Sequence, residues 1–525
     1  MPFGLTKSRA TLVAATIASG VTSLPTTALG VALPTIHDDL EASLSQLQWT
    51  LTAYSLSYAS LLIVAGRLGD IFGHRRFFIG GTIVFGLGAV SAALARHPIW
   101  LIFSLGIIGA GAAAIVPASL SILTNEFEGR SRVRAVAVWG GASGVVSGLG
   151  PPVGGILVNE AGWPAIFWAT ALCAGTILAV AFRRIAESWN RGASRTIDYS
   201  GVFCLAGAIT MLALGLIEAP TWGWGSIPTL VSFGASAALL GALVFFERRS
   251  PNPIIELSIL RYRNFLGGVT VKFVVNFALA TSLFLLPLYL QEILNYTPLG
   301  SGLLLLPLSG TFLVSLPLGG RLMERYGPRI PIVIGLSLAT VSLALIADLS
   351  IETTYANLWP PMLALGFGVG LVLTPMNLVA VNAVPVEHHG AATGIMTTVI
   401  GLGGVVGVAL TAAVFRTLED EKLDHILART GPRLPNSVER VVEGILVQAD
   451  DALEELAKHP PLEQRNIVGA VRDGFVYGIS NGLSIAVGVA GAGVVLTLLL
   501  LRRRSRTPSS RKWRRPDAAP AAPEA

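Results

Sequence analysis

The stretch GRLGDIFGHRR, residues 66–76, is met again far down the chain as GRLMERYGPR, residues 320–329. Six positions keep register: Gly66/Gly320, Arg67/Arg321, Leu68/Leu322, Asp70/Glu324, Gly73/Gly327 and Arg75/Arg329. Each copy joins two long apolar runs. Glycine there permits a sharp turn, and arginine marks the polar face of a membrane. Crossing a hydrocarbon core about 30 Å thick takes about 20 apolar residues at 1.5 Å each. Runs of that kind centre near 11–35, 47–65, 77–95, 99–123, 134–158, 163–182, 199–218 and 227–246. Six more follow at 265–290, 299–319, 330–349, 358–384, 391–415 and 475–501. Fourteen spans put both termini on one side. The two copies lie eight spans apart, where simple duplication of a six-helix bundle would give six, so two spans are inserted, at 199–246.

The expected fold is therefore an all-α polytopic membrane protein of two six-helix bundles plus an inserted pair. Residues 1–198 form the first bundle, 199–263 the inserted pair and a cytoplasmic linker, and 264–501 the second bundle with a long loop at 416–473. A basic tail, 502–525, follows. Composition agrees: 52% of residues are hydrophobic and 13% charged, against roughly 25% charged in soluble domains. That balance excludes a water-soluble enzyme. The sequence also has no nucleophile–base pair, metal-ligand spacing or phosphate loop, so no metal or cofactor is expected. Cys173 and Cys204 fall inside apolar runs with no disulfide framework around them. The first run, from Ala10 to about Ile36, exceeds the roughly 7–15 residues of a signal peptide's apolar core and reads as an uncleaved helix.

Lys and Arg orient the spans. With the termini cytoplasmic, the inner segments of 1–415 hold nineteen of them and the short outer loops only Arg96. The net charge of +6 is thus a matter of topology, not a sign of nucleic-acid binding. The 416–473 segment is net acidic and predicted outside, with an amphipathic helix expected over 438–459. The tail reads as a basic anchor to anionic lipid.

Further motifs stand in order along the chain. LGPPVGGIL (149–157) opens the outer half of the fifth span, and IEAPTWGWGS (217–226) joins the inserted pair. FERRSPNPIIELSILRYRNF (246–265) links into the second half, and FLLPLYLQEILNYTPLGSGLLLLP (284–307) forms the ninth span and its outer loop. Together with 66–76, these resemble the fourteen-helix drug:proton antiporter branch of the major facilitator superfamily, over about residues 24–415. The resemblance implies a monomeric secondary transporter of the cell membrane, exporting hydrophobic or amphipathic molecules by alternating access in exchange for protons. Parallel six-helix repeats place the substrate site at their interface, near the bilayer midplane.

Two motifs carry the expected mechanics. In the first, Gly66, Gly69 and Gly73 allow close approach, while Asp70, Arg75 and Arg76 offer interfacial ion pairs. The resemblance makes this segment, with Arg67, a cytoplasmic gate latch; the plainer reading is arginines acting as positive-inside anchors. In the second, Gly144, Gly148, Gly150, Gly154 and Gly155 permit backbone-to-backbone packing, and Pro151 and Pro152 remove helical hydrogen bonds. A bend on which alternating access turns is expected there, against generic tight packing.

The departures from the branch concern charge. Pro25 stands where the first span usually carries an acid, Leu105 and Ile108 replace the fourth span's Arg and Gln, and Ile400 and Gly401 replace the thirteenth's Arg–Gln pair. No Asp or Glu lies in the middle of a predicted span. Lys272, two turns into the ninth span with Asn276 at i+4, is the ionisable candidate. It either faces the cavity, as a proton switch or the partner of an anionic substrate, or snorkels to the inner interface. Tyr54, Tyr58, Trp139, Asn377 and Asn382 complete a candidate site suited to a neutral or amphipathic molecule. Export of lipids or metabolites without a carboxylate-based proton step, and a non-transporting sensor, are the alternative functions.

Overall fold

The computed structural model describes residues 7–127, 131, 135, 138–139, 146, 149–187, 199–249, 257–385, 389–430 and 461–501. Every described secondary-structure element is helical. The first half holds α1 (Lys7–Val21), α2 (Leu24–Leu40), α3 (Leu44–Phe72), α4 (His74–Ala93), α5 (Pro98–Glu126), α6 (Gly150–Ala161) and α7 (Pro164–Arg184). The inserted pair is α8 (Tyr199–Trp222) and α9 (Ile227–Arg249). The second half comprises α10 (Arg263–Leu288), α11 (Pro298–Leu304), α12 (Leu306–Gly310), α13 (Phe312–Tyr326), α14 (Arg329–Ala347), α15 (Tyr355–Asn382), α16 (His389–Thr430) and α17 (Pro461–Leu500).

Among the described residues, 12 spans are long and apolar enough to cross a membrane, with α1–α2 counted as one and α11–α13 as another. The other two expected spans are α3, 29 residues long, and the segment whose described end is α6. Prolines cause the breaks. Pro25 has no N–H for the carbonyl of Val21, and its ring crowds it, so the first span is interrupted at Thr22–Ser23. Pro287 does the same to Leu283 O and precedes a π-helical turn at Tyr289–Ile293.

The internal repeat is structural. Gly73 and Gly327 both turn with positive φ, +99° and +82°, a region open to glycine at no steric cost. Two residues on, Arg75 Nη2 donates to Phe182 O at 2.9 Å and Arg329 Nη2 donates to Leu498 O at 2.7 Å. Phe182 lies in the last turn of the sixth span of the first half and Leu498 in the last turn of the last span of the second. Each arginine thus satisfies a carbonyl at a helix C-terminus, where the macrodipole favours a cation.

In the first half α5 packs on α1, α3 and α4, and α7 packs on α4; in the second, α15 packs on α10, α13 and α14, and α17 packs on α10, α14 and α16. The inserted pair packs as a hairpin, with α8 seated in the groove between α3 and α16. The expected 416–473 loop is shorter than its sequence limits. The helices α16 and α17 run 42 and 40 residues, about 60 Å each at 1.5 Å per residue, about twice the ~30 Å hydrocarbon thickness. The expected amphipathic helix over 438–459 and the 502–525 tail lie outside the described residues.

Candidate functional site

The halves meet along two seams. On the first, Gln291 Nε2 donates to Val31 O at 2.9 Å and to Ser301 Oγ at 3.0 Å. Beside it the backbones nearly touch: a Cβ added to Gly155 would lie 2.6 Å from Pro298 O, and one on Gly302 2.5 Å from Pro151 O. On the second seam α3 packs on α16, with Gly401 against Ala59 and the Ser55 carbonyl. A glycine at the position of the branch's usual Arg–Gln pair is what lets these two helices approach.

Between the seams lies a cavity of about 320 Å³ walled by both halves. The first half contributes Thr22, Ser23, Thr26 and Thr27 at the break before α2, and Leu51, Tyr54, Ser55 and Tyr58 from α3. The second contributes one face of α10, from Asn276 to Phe284, and Ile400, Gly401, Gly404 and Val408 of α16. Its lining holds no charged side chain.

The polar groups at the broken helix are arranged locally. Thr26 and Thr27 donate their hydroxyls to Ser23 O at 2.9 and 3.0 Å. Tyr54 Oη donates to Thr22 O at 2.6 Å. Thr22, at the break between α1 and α2, thus offers its carbonyl as an acceptor, and a tyrosine fills it. One turn on, Tyr58 stacks on Tyr54 with centroids 5.9 Å apart and planes 9° from parallel. This pair gives the cavity a flat aromatic wall, while the threonines and Asn276 supply hydrogen-bonding edges.

The remaining sequence candidates lie outside the cavity lining. Lys272 is 7% exposed, and Nζ donates to Asn377 Oδ1 at 2.8 Å. Asn276 Nδ2 donates to Lys272 O at 2.8 Å. Asn382 is exposed at the end of α15, and Trp139 Nε1 donates to Ser119 Oγ at 3.1 Å; neither lines the cavity. In the 66–76 motif, Arg75 N donates to Glu187 Oε1 at 3.0 Å and Arg76 Nε pairs with Glu187 Oε2 at 3.7 Å, so the described ties hold the motif to its own half. Gly66, Arg67 and Asp70 belong to α3, and their side chains lie outside the described set. In the glycine–proline motif, Gly150 packs on Thr27, Gly154 on Ala28 and Gly155 across the seam, with Pro151 and Pro152 buried; Gly144 and Gly148 lie outside the described residues.

Two carboxylates were missed because each stands near a helix end. Glu218 Oε1 accepts from Ser45 Oγ at 2.6 Å and from Trp49 Nε1 at 2.9 Å, fastening α8 to α3. Its only sequence signal was the IEAPTWGWGS motif. Glu292, in the π-helical turn, sits within electrostatic reach of Asp38 on α2, across the first seam.

Residues 15–408 match the family model described as Major Facilitator Superfamily. Multidrug resistance protein Stp of Mycobacterium tuberculosis is 31% identical over 463 residues, 87% of this chain and 85% of that protein. The tetracenomycin C resistance and export protein of Streptomyces glaucescens is 30% identical over 517 residues, 95% of this chain and 92% of that one. Among solved structures, a bacterial homolog of the human lysosomal transporter Spinster superposes with a TM-score of 0.64 at 16% identity, covering 95% of this chain and 98% of the other. Two repeated bundles around a shared cavity, and a family match over most of the length, converge: the chain belongs to the Major Facilitator Superfamily.

Proposed function

We propose that this protein is a monomeric secondary transporter of the cytoplasmic membrane, exporting hydrophobic or amphipathic small molecules in exchange for protons. The carrying observation is the cavity, whose walls belong to both halves. When the halves rock about a site they share, access alternates between the two sides of the membrane. Its apolar faces, tyrosine stack and few hydroxyls suit a largely apolar molecule with some hydrogen-bonding groups. Relatives named for multidrug resistance and for resistance and export support the direction of transport. Nineteen Lys and Arg in the inner segments of 1–415, against one in the short outer loops, support cytoplasmic termini.

The test is accumulation of a lipophilic fluorescent dye panel in inverted vesicles carrying the full chain, with and without an imposed proton gradient. Gradient-dependent uptake that a protonophore abolishes is expected, reduced when Tyr54 and Tyr58 are both changed to Ala. Uptake no greater than in protein-free vesicles across the panel overturns the reading.

A further inference from the structure

Lys272 is unusual in its surroundings. It stands nine residues into α10, about 13 Å along the axis at 1.5 Å per residue, and so within the apolar part of a span. Its ammonium has three donors, and the described bond uses one, to the neutral oxygen of Asn377. Among the described residues no carboxylate lies within 4.0 Å of Nζ; the ion pair they form is Arg76–Glu187. A buried cation without a counter-ion is costly, and an ionisable group inside a membrane span marks a functional site by default.

Its placement connects it to the cavity. On a helix of 3.6 residues per turn, Lys272, Asn276, Leu279, Ala280 and Leu283 fall on one face. The last four line the cavity, so Lys272 continues that wall by one turn toward the start of α10. Neither Lys272 nor its partner Asn377 is among the cavity-lining residues; the pair sits next to that wall, with Asn377 exposed. The cavity itself supplies aromatic and aliphatic walls and no charge.

We propose that Lys272, held by Asn377, is an anion subsite, and that the exported molecules include amphipathic organic acids. The apolar body lies in the cavity against Tyr54 and Tyr58, and the carboxylate supplies the counter-ion that Lys272 lacks. This rests on the export reading above and adds the charge of the substrate to it.

The test compares pyrenebutanoic acid with its uncharged amide, which has the same apolar body. Uptake of each into proteoliposomes of the full chain is measured for wild type, Lys272→Gln and Lys272→Arg. The acid-to-amide ratio is expected to fall about tenfold in Lys272→Gln, the scale of one charge-assisted hydrogen bond, and to recover in Lys272→Arg. An equal fall for acid and amide marks a structural lysine and overturns the subsite. Uptake of the amide alone by wild type overturns it too. If wild type moves neither, the export reading fails for this body, and pyrene fluorescence on detergent-purified protein then reads the subsite directly. Tighter binding of the acid than the amide, lost in Lys272→Gln, upholds it; equal binding overturns it.

Discussion

At the residue scale, single positions carry chemistry that their neighbours do not announce. Pro25 shows how: where the resemblance implies an acid, this chain carries a helix break, and at that break the Thr22 carbonyl holds Tyr54. Tyr58, stacked on Tyr54, also lines the cavity. Changing Tyr58 to Ala is expected to raise the apparent KM for planar aromatic substrates about three- to tenfold, the worth of one aromatic pair, with a smaller effect on aliphatic ones in vesicle transport. The repeat arginines give a paired prediction. Arg75→Ala and Arg329→Ala remove the same bond from opposite halves, so each is expected to cost about 1 kcal/mol and to lower the thermal midpoint in detergent by a similar amount. A large difference between the two would show that the repeat is not equivalent in its bonding.

At the element scale, the inserted pair is attached to both halves. Glu218 and the α8 side chains fasten it to α3, Val405 and Ala409 of α16 pack on its other flank, and Trp224 Nε1 donates to Thr417 Oγ1 at 3.3 Å. α3 and α16 also wall the cavity, and α8 packs on both along the seam they form. Changing Glu218 to Ala leaves Ser45 and Trp49 without their shared acceptor and is expected to destabilise the fold by roughly 1.5–3 kcal/mol. Glu218→Gln, which keeps an acceptor oxygen, is expected to cost less; thermal unfolding in detergent compares them.

At the scale of the molecule, closure of the first seam depends on glycine. Only a residue without a side chain fits between α6 and Pro298 at Gly155, or between α11 and Pro151 at Gly302. Gly155→Val is therefore expected to hold the seam apart. Cysteines replacing Val31 and Gln291, which touch across it, would then cross-link less, and transport would fall in parallel. Unchanged cross-linking with Gly155→Val would mean the seam closes by another route. The seam also puts Asp38 within electrostatic reach of Glu292, residues from opposite halves that no sequence spacing relates.

What the sequence determined alone was the membrane class, the order of spans, the repeat and the inserted pair. These are local signals: apolar runs of spanning length, glycine–arginine turns, prolines and the distribution of Lys and Arg. Facing and partnership emerged only when the helices packed. A soluble helix announces its buried side by an apolar stripe, whereas a spanning helix is apolar on every side and its periodicity does not say which face meets a neighbour. So Tyr54, Tyr58 and Asn276 were legible as polar candidates but not as walls of one cavity, and Trp139 and Asn382 were equally plausible and lie elsewhere. Lys272 was legible as an intramembrane charge, yet its partner Asn377, on a helix far away in sequence, appears only when α10 and α15 pack together.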